Sequence, residues 1–195
     1  MIGLINRSIQ LFVTYAYGAE AWARVALAAG LDFTEFEAMM QYDDSHTPRL
    51  LDAAAQVLEQ SRDEVMEDIG TFIVSHHGFE GVRRLLRFGG IDFVDFLHSL
   101  DDLDERVRLA VPDLHLPKLE LMPHRDGGFS LLCDASITGY GNVMMGLLRA
   151  MADDYGALVL LEHTGTHRGK EIVSIRVIES DYSEGRRFEL GACTA

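Results

Sequence analysis

Apolar residues in the first half of the chain recur at the spacing of helix faces. Ile5, Ile9, Phe12 and Val13 share one side of a helix predicted over 2–17, and Gly18 breaks it. Trp22, Val25 and Leu27 belong to a second helix over 20–29, with Gly30 as its C-terminal cap. A short segment over 33–40 and a polar turn over 42–45 follow. Pro48 suits the first turn of an alanine-rich helix over 50–60. Ser61 and Glu64 form an SxxE capping box ahead of a helix through Val65, Ile69, Phe72 and Ile73, which Gly78 ends. The stretch 79–88 makes one more helical piece. Its arginines, Arg83, Arg84 and Arg87, read as a solvated face or as a docking site for an acidic partner.

After Gly89-Gly90 the chain runs into 91–111, which organises the rest. Phe93, Leu97, Leu100, position 104, Val107 and Val111 follow one another at steps of four and three, the face of a single helix. Asp104 interrupts that row. A carboxylate there either sits at the wet edge of the stripe or faces a cavity. Buried without a partner, it would cost several kcal/mol, roughly.

Beyond Pro112 the period changes. Residues 118–122 alternate like a strand, Asp126-Gly127-Gly128 signals a hairpin, and 129–133 returns. A helix follows over 139–155, with Val143, Leu147, Ala150 and Met151 inside and Gly156 as its stop. Two more strands, 157–163 and 171–178, are joined by a turn over 164–169. The pattern implies an α+β fold: an N-terminal helical subdomain of six or seven helices, then a four-stranded antiparallel sheet with a helix inserted between its hairpins. The expected organisation is a single domain over 1–182, with 1–90 its helical part and 91–182 the central helix plus sheet. A flexible tail is expected over 183–195.

Composition narrows the partners. The chain has 195 residues, 48% hydrophobic and 25% charged, an ordinary globular mix. A net charge of −14 repels nucleic acid and anionic membrane surfaces, so neither is an expected partner, and it suits a cytoplasmic protein. Two cysteines, Cys133 and Cys193, make neither a disulfide framework nor a CxxC zinc site. The amphipathic N-terminus, with Asn6 and Arg7 early, reads as the first helix of the fold and not as a signal peptide or membrane span.

Several stretches together resemble the H-NOX domains, the heme–nitric oxide/oxygen-binding family. They are MIGLINRSIQLFV, GAEAW, FEAMMQYDD, EVMEDIGTFIVSHHGF, DFVDFLHSLDDL, LPKLE and NVMMGLLRAMADDYG, in that order, covering about 1–180. The resemblance implies a helical front and a mixed back with heme b between them. It also implies a sensor for nitric oxide or another diatomic gas that signals to a partner protein. Two elements that hold heme in the family depart here. The family's axial histidine, in a pattern like FLxxLDxLH, matches Asp104 in FLHSLDDLD. Imidazole, thiolate, thioether and phenolate are the known protein ligands of heme iron, and a carboxylate is a poor substitute. The Tyr-x-Ser-x-Arg motif that binds the propionates matches Asp134, Ser136 and Thr138, so the serine alone is kept. An acid in place of the tyrosine repels propionates, and the arginine's bidentate pairing is gone. Pro117 matches a proline that packs on the heme plane. The expectation is therefore an H-NOX-like sensory module whose heme binding is lost or altered. Its pocket is then filled by side chains, or holds a small apolar ligand, or serves a signalling protein partner. The alternative is a working heme sensor with non-standard ligation.

Other candidate chemistry is weaker. His98 points elsewhere on its helix than Asp104. His76-His77 sit at a helix end and point apart, and His163 and His167 flank a turn, so neither pair reads as a metal site. Cys133, beside Asp134, is expected inside with its thiolate disfavoured. Gly139-Tyr140-Gly141 opens a helix in a way that favours an anion. Met144 and Met145 read as flexible core filling. An enzyme built on the carboxylates of the pocket lacks residues at catalytic spacing, and a purely structural or dimerising domain is the remaining class.

Overall fold

The structure, a computed structural model, describes residues 3–188. Four helices form the front: α1 (Gly3–Tyr17), α2 (Ala19–Ala28), α3 (His46–Leu58) and α4 (Arg62–Ser75). The predicted caps hold where their chemistry is local. Gly30 takes φ 68°, and its amide donates to Leu27 O at 3.0 Å. Ser61 and Glu64 form both halves of the capping box. The alanine-rich helix starts four residues earlier than expected, at His46, so Pro48 lies inside its first turn. A short α5 (Glu80–Arg87) follows.

The stretch 91–111 is not one helix. It divides into α6 (Phe93–His98), a 3-10 turn (Ser99–Asp102) and α7 (Leu103–Ala110). Side chains capture the backbone at the break: Arg106 Nη2 donates to Ser99 O at 2.8 Å, and Asp101 Oδ1 accepts from Leu121 N at 2.7 Å. Asp104 and Glu105 consequently occupy the first turn of a new helix, where the macrodipole favours acids. The apolar row continues past the break, with Phe93, Leu97 and Leu100 buried and Val107 half-buried against the same core.

The back carries β1 (Leu119–Pro123), β2 (Phe129–Asp134), α8 (Tyr140–Tyr155), β3 (Leu158–His167) and β4 (Lys170–Glu179). The sheet is antiparallel in the order β1-β2-β4-β3, with α8 inserted between the two hairpins as the sequence predicts. The second hairpin is tighter than expected. His167 pairs with Lys170, so the turn is Arg168-Gly169, both at positive φ. Its strands run longer because a register shift between His163 and Gly165 absorbs the Thr-Gly-Thr sequence.

Two apolar cores result. One joins α1 to α4; the other joins the sheet's inner face, α6 and α8. Helices α4 and α8 link them at a crossing with no room for a side chain at Gly70 or Gly146. A Cβ on Gly146 would overlap Glu67 O, and one on Gly70 would overlap Val143 O. Residues 183–188, expected to begin a flexible tail, run back over the helices: Ser183 N donates to Gly156 O, and Arg186 N donates to Asp154 O at 2.9 Å. The remainder of that expected tail lies outside the described residues.

Candidate functional site: an apolar cavity between the two cores

Where the cores meet they leave a cavity of about 790 Å³. That lies within the roughly 300–1,000 Å³ of small-molecule sites. Its wall comes from α1 (Ile5, Ile9), α4 (Met66, Ile69, Ile73), α5 (Leu85, Leu86), α7 (Leu103, Val107) and α8 (Val143, Met144, Leu147). Leu116 and Pro117 close one side, and Phe188 contributes from the chain's last described residue. These five helices, with Leu51 of α3, turn apolar side chains toward the space. Among the described wall residues, polar side-chain atoms belong to Ser8, Thr47, Arg84 and Tyr140 alone, apart from the sulfurs of Met66 and Met144.

Asp104 stands beside this cavity without lining it. Its Oδ1 accepts from Leu116 N at 2.9 Å, and its Oδ2 lies 3.2 Å from Arg108 Nε. With 24% of the side chain exposed, it is a partnered acid at the stripe's edge, tying α7 to the segment that carries Pro117. Pro117 is buried in the cavity wall. The other three family-equivalent positions do not converge on the space. Asp134 Oδ1 accepts from Ser136 N at 2.9 Å in a local turn, and Ser136 and Thr138 are exposed. Ile137, between them, is the residue that faces inward.

Sequence reasoning missed the buried acids nearby. Glu171, 4% exposed, accepts from Gly139 N at 2.6 Å and Gly141 N at 2.7 Å. The anion suited to the glycine-rich start of α8 is thus supplied by β4. Its signal was strand parity, since Glu171 shares the inward side with Val173 and Ile175. Removing it leaves two buried amides unpaired, so Glu171→Ala is expected to cost about 2 kcal/mol in urea denaturation. Hydrogen exchange at Gly139 and Gly141 is expected to accelerate with it.

Asp154, 1% exposed, is the second missed acid. Arg83 Nε donates to its Oδ1 at 2.8 Å, Arg87 Nε lies 3.5 Å from Oδ2, and Arg186 Nε lies 3.8 Å from Oδ1. The arginines read as a solvated face are therefore divided. Arg83 and Arg87 are drawn inward by an acid on α8, and Arg84 alone stays exposed at the cavity. Arg83 Nη2 also donates to Arg187 O at 3.2 Å, which fixes the segment carrying Phe188.

Cys133 is buried as expected. Burial first, and the Glu171 charge second, push its thiol up to about 12, so it is no nucleophile. Among the described residues no group of three His, Cys, Asp or Glu side chains could hold a metal ion. No described helix is long and apolar enough to cross a membrane. His76 and His77, expected to point apart, have ring centroids 4.2 Å apart because the chain turns extended at His76.

An apolar cavity of this size, walled by helices and the 114–117 segment, suits a small-molecule ligand. The model of the Haem-NO-binding family, HNOB, matches residues 2–163, and the chain belongs to that family, the H-NOX sensory modules of signalling proteins. Its fold superimposes on an H-NOX protein from S. oneidensis in the Fe(II)NO ligation state. The TM-score is 0.75 at 16% identity, covering 91% of this chain and 99% of that one. An oxygen-binding H-NOX domain related to soluble guanylate cyclases matches with a TM-score of 0.68 at 14% identity, over 96% of this chain and all of that one. Curated relatives include soluble guanylate cyclase 89Da of Drosophila melanogaster, 26% identical over 158 residues, which are 81% of this chain and 24% of the cyclase. Soluble guanylate cyclase gcy-35 of Caenorhabditis elegans is 28% identical over 155 residues, 78% of this chain and 22% of that protein. The chain thus spans about a quarter of the length of these relatives.

Proposed function

We propose that this domain senses a small apolar ligand in the cavity, held by packing and not by an iron atom, and passes occupancy to a signalling partner. The observation that carries this reading is the disposition of Asp104. Its carboxylate is committed to Leu116 N and Arg108, and no described wall residue is a histidine or cysteine. Heme b, which the family implies, requires an axial ligand and an anchor for two propionates. The wall offers two thioethers, Met66 and Met144, and the Tyr140 phenol, whose ionisation burial disfavours. Asp134, Ser136 and Thr138 are turned to a local bond or to solvent, so they make no clamp. These residues do not fit heme bound in the family's manner.

Titration with hemin tests this. The expected outcome is no sharp Soret band at one equivalent, while the neutral dye N-phenyl-1-naphthylamine gains fluorescence in the wild type and loses that gain in Val143→Trp, which fills the cavity. Stoichiometric hemin uptake by the wild type with a sharp Soret band would sink the proposal. Asp104→His with Thr138→Arg is expected to leave hemin uptake unchanged, because neither position lines the cavity, and to lose the bond from Leu116 N.

A further inference from the structure

The polar atoms of the cavity wall decide what kind of apolar ligand it takes, and this inference rests on the reading just given. Ser8 Oγ donates to Leu4 O at 2.9 Å, and Thr47 Oγ1 donates to Asn6 Oδ1 at 2.7 Å, so both hydroxyls already have acceptors in the protein. Tyr140 is buried, and its hydroxyl forms no hydrogen bond with the described residues. Burial first, with Cys133 and Asp104 adding to it, keeps that phenol protonated. Arg84 differs from all three. It is exposed, so it stands where the cavity opens, and its guanidinium has no ion pair or hydrogen bond with the described residues. Its neighbours on α5, Arg83 and Arg87, both turn to Asp154, which leaves Arg84 as the cation at the mouth. Phe79, Phe88 and Phe188 add apolar surface to the same wall.

An apolar interior with one cation among its described wall residues complements a molecule with a long apolar body and one anionic end. The cavity, about 790 Å³, has room for roughly two dozen groups of the ~30 Å³ that a water molecule takes in the liquid. An alkyl chain bends to fill such a space, whereas a rigid dianionic ring needs two anchors. We propose that the cavity is a site for a long-chain fatty acid. Its chain lies among Ile69, Ile73, Leu86, Val107 and Leu147, and its carboxylate pairs with the Arg84 guanidinium at the mouth.

Displacement of N-phenyl-1-naphthylamine from the full chain tests the assignment. Over decanoate, dodecanoate, tetradecanoate and hexadecanoate, each added methylene is expected to tighten binding about fourfold until the cavity is full. Hexadecanoate is expected to bind about tenfold more tightly than hexadecanol, with a margin that shrinks as salt is added because Arg84 is exposed. Arg84→Ala is expected to erase that margin, so that hexadecanoate and hexadecanol measured in the same variant bind equally, and Arg84→Lys to keep part of it. Equal binding of acid and alcohol, or a margin that survives Arg84→Ala, overturns the headgroup assignment while dye uptake leaves the cavity reading standing. Absence of dye uptake in the wild type overturns both, and so does displacement of the dye by hemin, with a stoichiometric Soret band, but not by the acids.

Discussion

Replacing Asp154 with alanine is expected to lower the unfolding free energy by about 3–5 kcal/mol, the range for removing one partner of a buried ion pair. The carboxylate is 1% exposed and Arg83 is 5% exposed, so neither can turn to water when the other is removed. Arg83 would keep Glu80, whose Oε1 lies 2.8 Å from Nη1, but that acid is itself half in solvent and cannot reach Nε. Urea denaturation monitored at Trp22 and by circular dichroism measures the loss. A fall under about 1 kcal/mol would mean that water reaches Arg83. The double change Asp154→Leu with Arg83→Met is expected to recover part of the loss, because the closest pair of desolvated charges then goes together while Arg87 is left without its acid. The single change should also loosen the 186–188 segment, since Arg186 Nε loses Asp154 Oδ1 and Arg83, whose Nη2 donates to Arg187 O, loses its anchor, while the bond from Arg186 N to the backbone carbonyl of residue 154 remains.

Gly146→Val is expected to be nearly as severe. Even the first carbon of a side chain overlaps Glu67 O on α4, and the obstacle is backbone, which cannot rotate aside. The two helices must separate, and both cores are attached to them. A cost at or beyond the top of the roughly 1–3 kcal/mol for overpacking follows. In a chain of this size that is a fall in Tm of about 6–12 °C. Differential scanning calorimetry checks it, and Gly146→Ala is expected to show a smaller fall in the same direction. A Tm within a degree of wild type for the valine variant would refute the close crossing.

Much of the architecture was legible because it rests on local chemistry. Ser61 with Glu64, Asp126-Gly127-Gly128, and the stops at Gly30 and Gly156 each act within a few residues, and each lies where the sequence placed it. The division of 91–111 was not legible. The apolar row runs through the break unchanged, and only Arg106 on Ser99 O and Asp101 on Leu121 N, both tertiary, show that the helix restarts at Leu103. The site was read in part. An acid on an apolar stripe drew attention to Asp104, which is partnered at the cavity's edge. The same rule applied to Leu147, Met151 and Asp154 leads to the acid that is fully buried. Nothing in the local pattern separates these two cases. What separates them is that α5 brings two arginines to Asp154, and a contact seventy residues away in sequence leaves no periodic trace.

Phe188 belongs both to the cavity wall and to the segment held down by Asp154, and its ring lies 5.2 Å from the Arg87 guanidinium. Filling the cavity and releasing that segment are therefore two events acting on one side chain. By thermodynamic reciprocity, a ligand that displaces the ring loosens the strap by the same free energy with which a loosened strap favours the ligand.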